Sequence, residues 1–181
     1  MRRTDVLVIG GGPGGAACAR RLKQEHVSCI VLDKSAFPRF KPCAGWVTPE
    51  VLKWVELERD RYPFGLTEFT SFDVSLNGFQ FRLPTQQYSI RRFEFDQWLL
   101  QKADPEFHVH AVHEIRLEND EYVVDDEFSA HYLVGAGGTH CPVYRTFFSK
   151  TSPKLQCSLI VAQEEEFQYD IKDTHCKLWF F

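Results

Sequence analysis

Residues 6–15 are Val-Leu-Val-Ile-Gly-Gly-Gly-Pro-Gly-Gly, an apolar stretch followed directly by a run that is almost entirely glycine. The apolar residues predict a buried strand, and the glycines predict a loop that leads into a helix. The spacing Gly10-x-Gly12-x-x-Gly15 fits the dinucleotide-binding pattern, whose glycines permit a tight turn, close approach of phosphates and close helix–strand packing. The sequence therefore predicts a pyrophosphate cradle here, with unpaired N–H groups and the positive end of the helix dipole facing the anion.

An acidic residue lies at the expected distance from these glycines. A helix of small residues continues from Ala16, a second strand is predicted over residues 28–32, and Asp33 ends that strand. Asp33 follows Gly10 by 23 residues, near the ~20 expected for the acid that binds a ribose hydroxyl. A carboxylate there accepts hydrogen bonds from the ribose diol and repels a 2′-phosphate, which argues against NADP at this site. The alternative is a glycine-rich loop in an ordinary helix–strand unit.

Composition excludes several classes of protein. The net charge is −4, and neither a basic stripe for nucleic acid nor an apolar run near the ~20 residues of a membrane span occurs. Asp5 and Pro13 interrupt what an export signal would need as a continuous apolar segment. The six cysteines are scattered without Cys-x-x-Cys spacing, so we expect a reducing cytoplasm and neither a metal site nor a disulfide framework.

The rest of the chain alternates between helical and strand periodicity. Thr48 and Pro49 predict a helix start, with the helix running to about Arg59, and Asn77-Gly78 predicts a hairpin. A further helix is predicted over residues 93–103. Predicted strands occupy 107–112, 115–118, 122–125, 155–165 and 175–181, and residues 132–138 repeat the strand-into-glycine pattern. Glu164 to Glu166 are interpreted as a solvated strand end, and His108, His110 and His113 as surface or sheet residues.

Four segments together resemble a known family. They are residues 8–15, residues 38–45 (Pro-Arg-Phe-Lys-Pro-Cys-Ala-Gly), residues 88–96 (Tyr-Ser-Ile-Arg-Arg-Phe-Glu-Phe-Asp) and residues 135–145 (Gly-Ala-Gly-Gly-Thr-His-Cys-Pro-Val-Tyr-Arg). The set resembles the geranylgeranyl reductase-like branch of FAD-dependent oxidoreductases, which share their fold with p-hydroxybenzoate hydroxylase. The second segment is similar to the Lys-x-Cys-x-Gly loop of those reductases and of flavin halogenases. Gly137 departs from the family, which has aspartate at that position.

The resemblance implies the fold class and the domains. We expect an α/β protein with a discontinuous, Rossmann-like FAD-binding domain of the GR2/PHBH type in residues 1–62 and 91–150. Residues 63–90 and 151–181 are expected to be part of an antiparallel β-sheet substrate domain. The sequence ends before the family's third FAD motif, so we expect a truncated chain that needs a missing C-terminal half.

The resemblance also implies the site. FAD is the expected cofactor, with NAD(P)H as a candidate electron donor, and Arg39, Lys41 and Arg92 are expected on the flavin side. The full set of predicted cofactor-binding residues is Gly10, Gly12, Pro13, Gly14, Gly15, Asp33, Lys34, Arg39, Lys41, Ala44, Gly45, Arg92, Gly135 and Gly138. Cys43 is the candidate catalytic residue, since a thiol in this loop can donate a proton. Its alternative role is that of a small apolar filler.

The implied reaction is reduction of carbon–carbon double bonds in a prenyl or other lipid chain. Three alternatives stay open: a flavin-dependent monooxygenase or halogenase, a non-catalytic nucleotide-binding fragment, and a plain NAD-binding domain. The expected partner is a small-molecule or lipid substrate. Nucleic acid and a transmembrane segment are not expected, and peripheral membrane contact is compatible with a lipid substrate.

Overall fold

The computed structural model describes residues 1–151, 163–168, 170 and 173–180. Their strands are β1 Arg2–Ile9, β2 Cys29–Asp33, β3 Trp46–Val47, β4 Leu66–Leu76, β5 Phe79–Ile90, β6 Glu106–Val109, β7 Ile115–Glu118, β8 Glu121–Val124, β9 Phe128–Gly135 and β10 His175–Phe180. Their α-helices are α1 Pro13–Gln24, α2 Pro49–Trp54 and α3 Arg92–Ala103. The described residues divide into a first unit, within 1–39 and 96–160, and a second unit, within 40–95 and 161–181.

The first unit is built on a six-stranded sheet with strand order β6-β2-β1-β9-β8-β7. The first four of these strands are parallel, and β8 and β7 continue the sheet antiparallel. The central strand β1 is buried from Val6 to Ile9, which explains its continuous apolar sequence, because a parallel strand is covered on both faces. Ile9 pairs with Leu32 on one side and with Gly135 on the other. The segments that follow β1, β2 and β9 therefore leave the sheet at the same edge.

Helices α1 and α3 cover one face of this sheet through small residues. Ala19 of α1 and Ala103 of α3 are fully buried and join Val6, Val8 and Val31 in one apolar cluster. Since alanine brings the helix axis close to the strands, the beginning of α1 is held tightly against the end of β1. This packing fixes the direction in which the first turn of α1 points.

The second unit contains a four-stranded sheet with order β10-β4-β5-β3. The predicted hairpin is confirmed: β4 and β5 pair antiparallel across Asn77 and Gly78, whose φ angles are +47° and +86°. The expected antiparallel pairing holds for β3, β4 and β5, but β10 runs parallel to β4 from His175 to Phe180. Residues 40–62 group with this unit, although the sequence assigned them to the FAD-binding domain; the functional division into domains stays a prediction.

Three predicted boundaries are wrong. Helix α2 begins as predicted, with the Thr48 side chain accepting the Val51 N–H. It ends at Trp54 because Glu56 adopts a left-handed conformation, which lets both Val55 and Leu57 be buried. Strand β6 ends at Val109 rather than at residue 112. Of the predicted strand 155–165, residues 155–162 lie outside the described residues and 163–165 are not in a strand. Within the described part of the chain, no helix is both long and apolar enough to cross a bilayer.

Candidate functional site

The turn after β1 has the geometry that its glycines predict. Gly10 has a φ of +114°, and its N–H donates to the Leu32 carbonyl at 2.7 Å. A Cβ on Gly15 would lie 1.8 Å from the Gly10 carbonyl oxygen. On the other side, the Ala136 N–H donates to the Ile9 carbonyl at 2.8 Å. The turn is therefore fixed to both neighbouring strands and closed against α1.

The beginning of α1, Gly12 to Gly15, carries almost no side chains of its own. Gly12 is the N-cap residue, Pro13 is the first helical residue, and the Gly12 carbonyl accepts the first helical hydrogen bond, from Ala16 N–H at 2.9 Å. The first turn carries no acidic residue, and a Cβ on Gly14 would meet nothing within 4 Å. The first N–H groups of a helix lack partners inside the helix, so this end can accept an anion.

Asp33 is fixed beside this turn by two main-chain donors. Its Oδ2 accepts from the Gly11 N–H at 2.8 Å, and its Oδ1 accepts from the Ser35 N–H at 3.0 Å. The side chain is 10% exposed. An ionised carboxylate has about four acceptor positions, so both oxygens retain capacity for the two hydroxyls of a ribose. The predicted pairing of glycine turn and acid is thus present in the fold.

Arg39 brings a mostly buried cation to the same turn. Its guanidinium stacks on the Phe37 ring at 4.9 Å, and its Nη2 lies 3.2 Å from where a Cβ on Gly12 would stand. Nε lies 3.9 Å from Asp33 Oδ2, and Nη2 lies 3.5 Å from Asp96 Oδ2. Nε is buried without a hydrogen-bond partner among the described residues. The arrangement places a guanidinium, flanked by two carboxylates, beside Gly12, where phosphates are expected.

Sequence reasoning missed Asp96. This residue is fully buried and sits on the apolar side of α3 with Leu99, Leu100 and Ala103. The sequence does contain an indication of its burial: Asp96 lies three, four and seven positions before apolar residues of the helix and therefore on the same, buried face. A carboxylate in such a position is found with a cationic partner.

The glycines after β9 close the other side of the turn. A Cβ on Gly135 would lie 2.9 Å from Val143 Cβ, and one on Gly137 would lie 3.0 Å from Cys141 Cα. Gly138 has a φ of +70°, and a Cβ there would meet nothing within 4 Å. Gly137, where the family has aspartate, is therefore packed against Cys141, and the position has little room for a larger side chain.

Four predicted site residues belong to the loop at the start of the second unit. Lys41, Cys43 and Ala44 are exposed, and Gly45 is buried with a φ of +69° and accepts the Ile90 N–H at 3.0 Å. A Cβ on Gly45 would lie 1.9 Å from the Ile90 carbonyl oxygen. The glycine therefore anchors this loop to the end of β5.

Cys43 is held in place by its main chain and its sulfur. Its N–H donates to Glu164 Oε2 at 2.8 Å, and its Sγ accepts from the Gly45 N–H at 3.4 Å. Arg91 contacts Glu166 through two nitrogens, at 2.7 and 2.9 Å, and these hydrogen bonds raise the pKa of Arg91. Glu164 to Glu166 were expected to be a solvated strand end: Glu165 and Glu166 are indeed exposed, but the segment is not a strand. Glu164 and Glu166 instead accept hydrogen bonds from Cys43 and Arg91 of the second unit.

The structure thus sorts the predicted residues into two sets. The glycine turn, Asp33, Arg39, Gly135 and Gly138 gather at one edge of the first sheet. Lys34, also in the first unit, is exposed directly after Asp33. The second set, in the second unit, consists of Lys41, Cys43, Ala44, Gly45 and the half-buried Arg92.

Comparison with known proteins matches the start of this chain to a nucleotide-binding domain. The sequence pattern of the NAD(P)-binding Rossmann-like domain matches residues 8–41. An uncharacterized protein of Methanosarcina barkeri is 33% identical over 81% of this chain and 40% of its own. A flavin-dependent halogenase of Armillaria mellea is 30% identical over 67% of this chain and 25% of its own. Digeranylgeranylglycerophospholipid reductase 2 of Methanopyrus kandleri is 26% identical over 93% of this chain and 46% of its own. The chain thus spans less than half the length of each of these relatives.

Solved structures agree on the architecture. Halogenase PltM, crystallised with phloroglucinol and FAD, superposes with a TM-score of 0.66 at 20% identity, over 78% of this chain and 36% of its own. PqsL, a probable FAD-dependent monooxygenase from Pseudomonas aeruginosa, gives a TM-score of 0.65 at 19% identity, over 80% and 45%. The fold is the Rossmann-like α/β fold of these flavoproteins. The predicted fold class is confirmed.

Proposed function

We propose that this chain is the FAD-binding part of a flavin-dependent oxidoreductase. The observation that carries the proposal is the joint arrangement of Gly10–Gly15 and Asp33: a side-chain-free helix start next to a carboxylate that Gly11 N–H holds at 2.8 Å. The helix start can bind an anion and the carboxylate can bind a diol, and an adenine dinucleotide carries a diphosphate next to a ribose diol. The likeness to FAD-dependent halogenases, monooxygenases and a lipid reductase supports FAD in particular.

In this proposal, each predicted site residue of the first unit has a role. The N–H groups from Gly12 to Gly15, with Pro13 setting the helix start, bind the diphosphate, and Arg39 adds a cation beside Gly12. Asp33 binds the adenosine ribose, and Lys34 follows it at the surface. Gly135 and Gly138 let the loop after β9 pass close to the cofactor. FAD itself supplies the hydride or electron transfer that side chains lack.

The substrate we propose is a prenyl or other lipid chain whose carbon–carbon double bond is saturated. The matched part of this chain is larger for the lipid reductase, 93%, than for the halogenase, 67%. Saturation adds a hydride to one carbon and a proton to the other, and we assign the proton to the exposed Cys43 thiol. Lys41, Ala44, Gly45 and Arg92 bind the flavin side of the cofactor, and NAD(P)H is the proposed electron donor.

A halogenase or monooxygenase is the second candidate. The structural likeness to PltM and PqsL favours it, and the Lys-x-Cys-x-Gly loop is common to both candidates. The two differ in what reoxidises the reduced protein. We expect anaerobic addition of a prenylated lipid to the dithionite-reduced, FAD-loaded protein to restore the oxidised flavin spectrum. Reoxidation that requires oxygen and is unaffected by the lipid would reject the reductase in favour of the second candidate.

Cofactor binding is tested first, by titrating FAD and following the quenching of its fluorescence. Asp33→Asn keeps the shape of the side chain but removes its charge, and we expect FAD to bind about 10- to 100-fold more weakly because hydrogen bonds to a charged group contribute about 1.5–3 kcal/mol. Asp60→Asn, an exposed residue of the second unit, is the matched control and should bind like the wild type. A wild-type protein that takes up no FAD would reject the proposal.

A further inference from the structure

We infer that Asp96 is a positioning residue, whose task is to hold the Arg39 guanidinium at the diphosphate cradle. The inference rests on the proposed function, because it concerns how this chain prepares its own arginine for the cofactor. It is carried by the ion pair between Arg39 Nη2 and Asp96 Oδ2 at 3.5 Å and by the complete burial of Asp96.

Apolar residues surround Asp96 on its side of α3. Leu99, Leu100 and Ala103 occupy the same buried side of α3, and a leucine in place of Asp96 would bury its side chain without desolvating a charge. A carboxylate taken out of water is retained only where a partner compensates it. Arg39, whose side chain is 18% exposed, is a partner of opposite charge within ion-pair distance.

The guanidinium is fixed but not saturated. Phe37 supports its plane from one side at 4.9 Å, Asp33 lies 3.9 Å from Nε, and Asp96 lies 3.5 Å from Nη2. Nε nevertheless has no hydrogen-bond partner among the described residues, although it is buried. Because arginine carries five N–H donors in a planar fork, donors remain for a phosphate that arrives beside Gly12.

The two carboxylates act on opposite parts of the fork. Asp33 approaches Nε, whereas Asp96 approaches the terminal nitrogen that also lies nearest to Gly12. Without Asp96, the guanidinium is free to turn toward Asp33, away from the cradle and onto the oxygens assigned to the ribose. Asp96 therefore keeps the cation available to the diphosphate and keeps Asp33 available to the sugar.

A double-mutant cycle on FAD affinity tests this. Asp96→Asn, Arg39→Gln and the double variant are titrated with FAD under the same conditions as the wild type. We expect Asp96→Asn alone to weaken FAD binding about tenfold, since coupled charged residues interact over this range. In the Arg39→Gln background, the same change should alter affinity less than twofold. Asp104→Asn, which removes an exposed carboxylate just after α3, is the control and should bind FAD like the wild type.

Competition with ADP and adenosine separates positioning from a general loss of structure. We expect Asp96→Asn to weaken competition by ADP about tenfold and competition by adenosine less than twofold, because only ADP carries the diphosphate. An equal loss for both ligands, or an additive cycle, would overturn the positioning role while leaving the proposed function intact. Failure of the wild type to bind FAD would reject the proposed function itself.

Removing one partner of a buried pair can unfold a protein, so thermal unfolding is followed for each variant. If Asp96→Asn does not fold, Asp96→Glu provides the measurement: it keeps the charge but moves the carboxylate by one methylene. We expect Asp96→Glu to fold and to weaken ADP competition about threefold, with adenosine unchanged. ADP affinity equal to that of the wild type would overturn the inference.

Discussion

A single methyl group at Gly15 should disrupt the cradle. In Gly15→Ala, the new Cβ would lie 1.8 Å from the Gly10 carbonyl oxygen and 3.0 Å from its carbon. An ordinary contact requires more than 3 Å, so the carbonyl or the helix must move by more than about 1 Å. Neither moves freely, because Gly10 N–H is bonded to Leu32 at 2.7 Å and α1 is packed through Ala19. Since overpacking costs about 1–3 kcal/mol and the obstacle here is main chain, we expect a loss of about 3 kcal/mol or more in the free energy of unfolding.

Gly14→Ala is the matched control for this change. It adds the same methyl group to the same turn of α1, but into space that is open for 4 Å. Replacing a helical glycine by alanine stabilises by up to about 1 kcal/mol, so the two variants should differ by about 3–5 kcal/mol. Urea unfolding followed by circular dichroism measures both. Stabilities within 1 kcal/mol of each other would show that Gly15 does not touch the Gly10 carbonyl and that the cradle is not closed in this way.

Three further predictions concern charge, backbone and thiol chemistry. Burial raises the pKa of Asp125, but hydrogen bonds from Glu114 N–H, His110 and His113 N–H outweigh this effect and leave the pKa below its ordinary 3.8. The ionised carboxylate therefore stabilises the folded protein fully above pH 3.8, and this stabilisation is lost as the pH falls through the lower folded-state pKa. Asp125→Asn should cost about 1–3 kcal/mol at pH 7, and urea titrations should show this difference shrinking as the pH falls below 3.8; a constant difference would contradict the assignment. Gly78→Ala places a Cβ in open space at a φ of +86° and should cost about 1 kcal/mol through backbone strain alone, which the urea midpoint checks. Cys43 is exposed and Cys141 is buried, so Cys43→Ser should remove a rapidly alkylated thiol that Cys141→Ser leaves in place, as mass spectrometry after brief iodoacetamide treatment would show.

The correctly predicted features are those that neighbouring residues determine. Gly10–Gly15 specifies its turn because side chains there would clash within a few residues, and Asn77-Gly78 specifies its hairpin because both residues tolerate a positive φ. The end of α2 was missed because the burial of Val55 and Leu57 decides it, and that depends on packing. The hydrogen bond of Glu164 was missed for the same kind of reason: its donor, the Cys43 N–H, lies 121 residues earlier in the chain. The sequence correctly predicted that Glu165 and Glu166 are exposed, but it could not indicate this distant donor.

In the candidate site, the sequence motif indicates the type of ligand, whereas the residues packed around the motif determine the affinity. The glycine pattern and Asp33 specify a kind of ligand, since a main-chain helix start selects an anion and a carboxylate selects a diol. They do not specify how strongly the ligand is held, because in the proposed site that depends also on Arg39, which lies in a loop, and on Asp96, which lies 3.5 Å from Arg39 on a helix. At Gly137, the aspartate of the family that this sequence resembles is absent. Gly137 nevertheless packs against Cys141, and the loop after β9 still lies directly against Gly10. In the proposed site, the groups assigned to the diphosphate and the ribose are therefore all present in this chain, whereas a carboxylate at position 137 is not.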